Sequence, residues 1–139
     1  MAEAQTPRSP RRPHLPLEVL PDTLAVCRLA PDAAVPAWAS APNRFVTISR
    51  TPEELSITTV QKIVPAEVRC ERDYRALRVR GALPLNLIGI LASIAGPLAE
   101  AGLSIFAIST FDTDYVLVKA RDLDVAVATL EQAGHRVSR

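Results

Sequence analysis

The chain has 139 residues, enough for one domain or for two small ones sharing a core. Its 48% hydrophobic and 22% charged composition is that of a globular protein, and a net charge of +1 excludes a general attraction to nucleic acid or acidic membranes. No apolar run approaches the ~20 residues of a membrane span, and the Pro-rich N-terminal stretch lacks the hydrophobic region of a secretion signal. A cytoplasmic protein outside the membrane is expected.

Residues 1–16, MAEAQTPRSPRRPHLP, hold several prolines and few apolar residues, which predicts a flexible tail. Thr23–Leu29 alternates as a strand, with Leu24, Val26 and Arg28 on one face and Ala25, Cys27 and Leu29 on the other. Pro31-Asp32 opens a short helical segment, Ala33–Ala39, with Trp38 as an aromatic lid on a small core. Asn43 leads into a second strand, Arg44–Ser49, and a polar turn follows at Arg50–Glu54. Leu55–Val60 is a β-branched third strand, and Gln61–Glu67 allows one helical turn before Pro65 interrupts it.

The second half repeats this order more fully. Tyr74–Val79 alternates as a strand, with a mixed-charge face drawn from the arginine-rich stretch 69–80. Gly81–Asn86 is a loop. The helix after it carries Leu87, Leu91, Ile94, Leu98 and Ala101 on one stripe, with Asn86 as its cap and Gly102 at its end. Pro97 has no N–H for the Ser93 carbonyl, so a kink or a loosened last turn is expected. Ser104–Ser109 and Asp114–Lys119 are strands. Asp122 caps a second helix whose buried stripe is Leu123, Ala126, Val127 and Leu130, and a closing strand begins at His135.

The second half is therefore βαββαβ and the first a shorter βαββ. The expected fold is α+β and ferredoxin-like: two tandem units packed together, 17–72 and 73–139.

Chemistry concentrates in one place. The turn Ser109-Thr110-Phe111-Asp112-Thr113-Asp114 packs hydroxyls, a phenyl ring and two carboxylates between apolar strands, more than a reversal requires. Lying beside the loop 81–89, it suggests a site for a small polar ligand. Elsewhere no nucleophile–base pair, metal cluster or phosphate loop occurs, so no catalytic residue, metal or cofactor is expected. Cys27 and Cys70 lack CxxC spacing and are read as reduced thiols.

Three stretches carry a family resemblance: Phe45–Ile57, the helix Gly89–Gly102, and Ser104–Tyr115 with its STFDTD turn. They resemble the ACT-domain family of amino-acid-binding regulatory modules, in the tandem form found in small bacterial proteins. They are also similar to the ACT pairs of CASTOR-type arginine sensors and of aspartate kinases. The resemblance implies a non-catalytic sensor, a homodimer, that binds a free amino acid and acts on a regulated partner. It places Leu87, Ile88 and Gly89 at the ligand carboxylate through backbone N–H groups. It makes Ser109, Thr110 and Phe111 hydroxyl and carbonyl partners, and sets Asp114 against an ammonium or basic side chain. The family's glycine-rich loop is replaced here by Pro84-Leu85-Asn86-Leu87-Ile88-Gly89, whose bulk is expected to narrow the pocket or close it. The alternative reading is a ligand-free dimerisation module of the same fold. RNA binding is disfavoured, because of the candidate central strands Ala76–Val79 and Asp114–Lys119 only Tyr115 offers an aromatic for base stacking.

Overall fold

The computed structural model describes residues 13–42, 44–83 and 88–139. Among these residues seven strands form one sheet: β1 (Pro16–Leu29), β2 (Val46–Arg50), β3 (Leu55–Val60), β4 (Cys70–Val79), β5 (Phe106–Ser109), β6 (Asp114–Lys119) and β7 (Arg136–Ser138). Two helices, α1 (Ile90–Glu100) and α2 (Leu123–Gln132), accompany them. The strand order is β2-β3-β1-β4-β6-β5, with β7 pairing β1. The architecture is α+β, with ferredoxin-like βαββαβ order from β4 onward.

β3 and β6 form as their period-two, β-branched patterns predict. β1 is seven residues longer than expected and begins at Pro16, and Leu15 before it is already in the core. Its prolines disguise it. Pro21 falls where the β1–β4 register shifts between Val19 and Thr23, a break in the ladder that needs no N–H from it. The N-terminal half of β1 lies between β4 and β7, with Leu17 opposite both Val79 and Val137. In a lone βαββαβ unit the last strand would pair the first directly; here β1 occupies that edge. The C-terminal half runs between β4 and β3.

The expected division at 72/73 falls inside β4. Here Asp73 adopts φ 65° at a bulge, and the Gln61 side chain satisfies it: Asp73 N–H donates to Gln61 Oε1 at 2.6 Å, and Gln61 Nε2 donates to Asp73 Oδ1 at 3.0 Å.

Three apolar clusters follow from this sheet. α1 and α2 cover one face, where Ile94, Leu98, Ala126 and Leu130 pack on Leu17, Leu77, Val116 and Val118. The predicted α2 stripe is entirely buried. A second cluster of Ala25, Cys27, Leu55, Ile57 and Val64 is covered by Trp38, which lies within a 3-10 turn (Ala37–Ala39) in place of the expected helix 33–39. Pro36 limits that helix to one turn. The third cluster joins Leu24, Val60, Ala76 and Leu117 on the remaining face. There the rings of Phe45 and Tyr115 meet edge to face with centroids 5.1 Å apart. Three strands separate their positions in the order, and a flat sheet would hold them roughly 19 Å apart, so the sheet is strongly curled.

α1 starts at Ile90 rather than Leu87, with Gly89 in the left-handed region as its cap (φ 80°). The expected cap Asn86 and the site candidate Leu87 lie outside the described residues, as does Asn43. The last turn of α1 is intact across Pro97, since Ala101 N–H reaches Pro97 O at 3.0 Å. The Ser93 carbonyl that Pro97 cannot serve is bonded instead by His135 Nε2 at 2.8 Å. Among the described residues no helix is long and apolar enough to cross a membrane.

Candidate functional site

The β5–β6 turn is held by its own hydroxyls. Thr110 N–H donates to Thr113 O at 2.8 Å, and the Thr110 hydroxyl donates to the same oxygen at 3.1 Å while accepting Thr113 N–H at 3.3 Å. Thr113 is buried, and its hydroxyl donates to Val79 O at 2.8 Å, anchoring the turn to the end of β4. At the base of the turn Ser109 Oγ donates to Asp114 Oδ1 at 2.6 Å. Asp114 is half-buried, and its Oδ2 has no hydrogen bond to a described residue.

The loop leaving β4 is tied to this turn. Leu83 N–H donates to Asp112 O at 2.6 Å, so the segment leading to α1 and the tip of the turn meet at one end of the sheet. Between them lies a depression of about 270 Å³, lined by Arg78, Gly81, Ala82, Thr110, Asp112, Thr113 and Tyr115. Gly81 (φ 84°) turns the chain away from β4 at its rim. The wall includes a guanidinium, with Arg78 paired to Glu18, and a phenol.

Of the predicted residues, Ser109, Thr110, Phe111 and Asp114 are all in or beside this turn, but only Thr110 lines the depression. The Ser109 and Thr110 hydroxyl protons are engaged within the turn. Ile88 and Phe111 stand exposed, at 73% and 80% of their surface. Gly89 begins α1 with backbone rather than a side chain, and the first helical bond there is Ser93 N–H to Gly89 O at 2.9 Å. That leaves the first amides of α1 without helical partners, the ordinary condition of a helix amino-terminus.

The reading from sequence placed Gly81, Ala82 and Thr113 in the candidate loop and turn without singling them out, and missed Arg78 and Tyr115. Thr113 lay within the STFDTD motif, but its inward orientation is set by the Val79 carbonyl, 34 positions away. Arg78 is one of several arginines along β4, with nothing local to single it out.

Comparison with known proteins bears on this arrangement. A family model described as an ACT domain matches residues 69–132, which takes in β4, α1 and the whole turn. A second model, of an N-terminal domain, matches 22–67. The cytosolic arginine sensor for mTORC1 subunit 1 of Homo sapiens is 30% identical over 100 residues, covering 64% of this chain. The chain spans only 30% of that relative's length. A solved protein from Agobacterium tumefaciens is 35% identical with a TM-score of 0.84, covering 90% of this chain and 92% of that one. The regulatory subunit of aspartate kinase from Thermus flavus shares the fold at 13% identity, with a TM-score of 0.61 and coverage of 87% and 99%. Over residues 69–132 sequence match and element order agree: this part of the chain belongs to the ACT-domain family.

Proposed function

We propose that this protein is a non-catalytic regulatory module that binds a free amino acid at the end of the sheet where the 81–89 loop meets the 109–114 turn. The observation that carries the reading is the Leu83–Asp112 hydrogen bond, which brings the two segments together around a polar depression. In this reading Gly89 and Ile88 present backbone amides to the ligand carboxylate, where the α1 amino-terminus favours an anion. Leu87 precedes them in the same loop. The free oxygen of Asp114 receives an ammonium or a basic side chain, and Ser109, Thr110 and Phe111 frame the ligand through backbone groups and the ring edge. Units 17–72 and 73–139 act as an ACT-like pair in a cytoplasmic homodimer, and ligand binding shifts the contact with a regulated protein. A ligand can do this only through different affinity for the two states.

Support comes from the ACT-domain match over the site and from the arginine-sensor relatives. The test is a thermal-shift panel of the common amino acids at millimolar concentration. A ligand at about 100 times its dissociation constant adds about 2.7 kcal/mol, a rise of several degrees for a chain of this size. Stabilisation by one or a few amino acids, reduced in Asp114→Ala, supports the reading; a flat panel overturns it.

A second reading, a ligand-free dimerisation module, is favoured by one observation: Ile88 and Phe111 expose large apolar side chains at this same end. A flat panel together with a dimer dispersed by Phe111→Ser would select it.

A further inference from the structure

The two cysteines, 43 positions apart in sequence, are direct cross-strand neighbours. Cys27 on β1 is registered against Cys70 on β4. The adjacent pair is the hydrogen-bonded one, since Arg28 N–H donates to Arg69 O at 2.9 Å. Antiparallel ladders alternate, so Cys27 and Cys70 occupy a non-hydrogen-bonded position, where Cα atoms lie about 4.5 Å apart and side chains approach most closely. That spacing falls at the short end of the range of about 4.4 to 6.8 Å that a disulfide spans. Both side chains belong to the small core under Trp38.

The two thiols differ in access. Cys27 is 1% exposed, whereas Cys70 is half-buried and its thiol donates to Val68 O at 3.1 Å. Burial, with the contact from Cys70 behind it, holds the Cys27 thiol protonated, up to about pH 12. Arg72 opposes this weakly.

We propose that Cys27 and Cys70 form a reversible intrachain disulfide that staples β1 to β4 when the protein meets a low-molecular-weight disulfide such as oxidised glutathione. The Cys70 thiolate attacks one sulfur of glutathione disulfide; that S–S bond breaks and one glutathione leaves with the electron pair. Cys27 then gives up its proton and attacks Cys70 Sγ, expelling the second glutathione. The chain loses two protons and two electrons, and glutathione disulfide takes them up to become two reduced glutathiones. Attack begins at Cys70 because only it reaches solvent, and exchange depends on access and on thiolate. A bridge at the short end of the allowed spacing is strained, the kind that reduces readily and serves as a switch rather than a permanent staple. The staple would lock the strand that both halves of the sheet share. The inference rests on strand register alone and stands apart from the amino-acid reading.

The test is intact-mass analysis of the folded full chain after incubation with oxidised glutathione, followed by peptide mapping without reductant. A urea-unfolded sample is treated in parallel. The expected result is the loss of two hydrogens, one chain per molecule, a linked Cys27–Cys70 peptide pair, and reversal by reduced glutathione. Cys27→Ala should stop at a single glutathione on Cys70, and folded Cys70→Ala should stay unmodified. A wild-type chain that retains glutathione, links to a second chain, or stays unmodified where the unfolded chain reacts would overturn the proposal. The wild-type mass and map decide this even if either variant fails to fold.

Discussion

Pro97 removes a donor from the middle of α1, and His135, 38 positions away, supplies the replacement. The carbonyl of Ser93 would ordinarily accept the N–H of residue 97, which proline lacks. His135 is 4% exposed, and its Nε2 lies 2.8 Å from that carbonyl. Its Nδ1 accepts Leu15 N–H at 3.0 Å. The two contacts fix the neutral tautomer with the proton on Nε2. One imidazole thus joins a defect in α1, the entry to β1 and the start of β7.

Replacing His135 by Ala leaves two buried backbone groups without partners, and each such group costs about 1–3 kcal/mol. His135→Ala should therefore lose about 2–4 kcal/mol in urea denaturation. In a Pro97→Ala background the helix regains its own donor for Ser93 O. The cost of His135→Ala should then fall by about 1 kcal/mol or more, and a strictly additive cycle would refute the coupling.

The buried thiol of Cys27 predicts a loss of stability in alkali. Its pKa is raised from 9.0 to about 12, first by burial and then by Cys70. A raised folded-state value means the stabilisation is fully present below about pH 9 and is lost as pH rises from there toward about 12, because the unfolded chain releases its proton first. Unfolding free energies from denaturant titrations at about pH 8 and about pH 10 should fall more steeply for the wild type than for Cys27→Ala, by up to about 1.4 kcal/mol per pH unit. Parallel slopes in the two proteins would count against a buried, protonated thiol.

Thr113 joins the β5–β6 turn to β4 through its bond to Val79 O. Thr113→Val keeps the shape and leaves that buried carbonyl unpaired, at a cost of about 1–2 kcal/mol. Amino-acid-induced stabilisation should weaken as well, since the turn loses its anchor. Chemical denaturation gives the first quantity and a ligand titration the second.

Asp114 makes a hydrogen bond to Ser109 and keeps its second oxygen free of described partners. Asp114→Ala should cost under about 1 kcal/mol of stability. It should weaken amino-acid binding at least tenfold, about 1.4 kcal/mol, by isothermal titration. Unchanged affinity would remove Asp114 from the site.

Phe111 is 80% exposed, so Phe111→Ser should leave unfolding free energy within about 0.5 kcal/mol of the wild type. Light scattering and the amino-acid panel then separate its two proposed roles. A change in oligomeric state without a change in binding assigns it to a protein contact, and the converse assigns it to the ligand.

Local sequence pattern determined the elements whose periodicity is uninterrupted. β3 and β6 run over the residues their alternation predicts, and α2 buries the stripe Leu123, Ala126, Val127 and Leu130. The STFDTD turn was legible too, because an excess of hydroxyls and carboxylates between apolar strands is a local signal. What tertiary structure decided are relationships between distant segments. The first half of β1 carries Pro16 and Pro21 and has no strand pattern of its own; it is a strand because β4 and β7 offer it edges on both sides. Arg78, Gly81 and Thr113 line one depression because β4–β6 register, the Thr113–Val79 bond and the Leu83–Asp112 bond bring strand, loop and turn together. Cys27 meets Cys70 through register, and His135 repairs Pro97 through the packing of β7 beside α1. Propensity and period act over a few residues, whereas register, burial and the pairing of an orphaned carbonyl depend on which segments the curled sheet brings together.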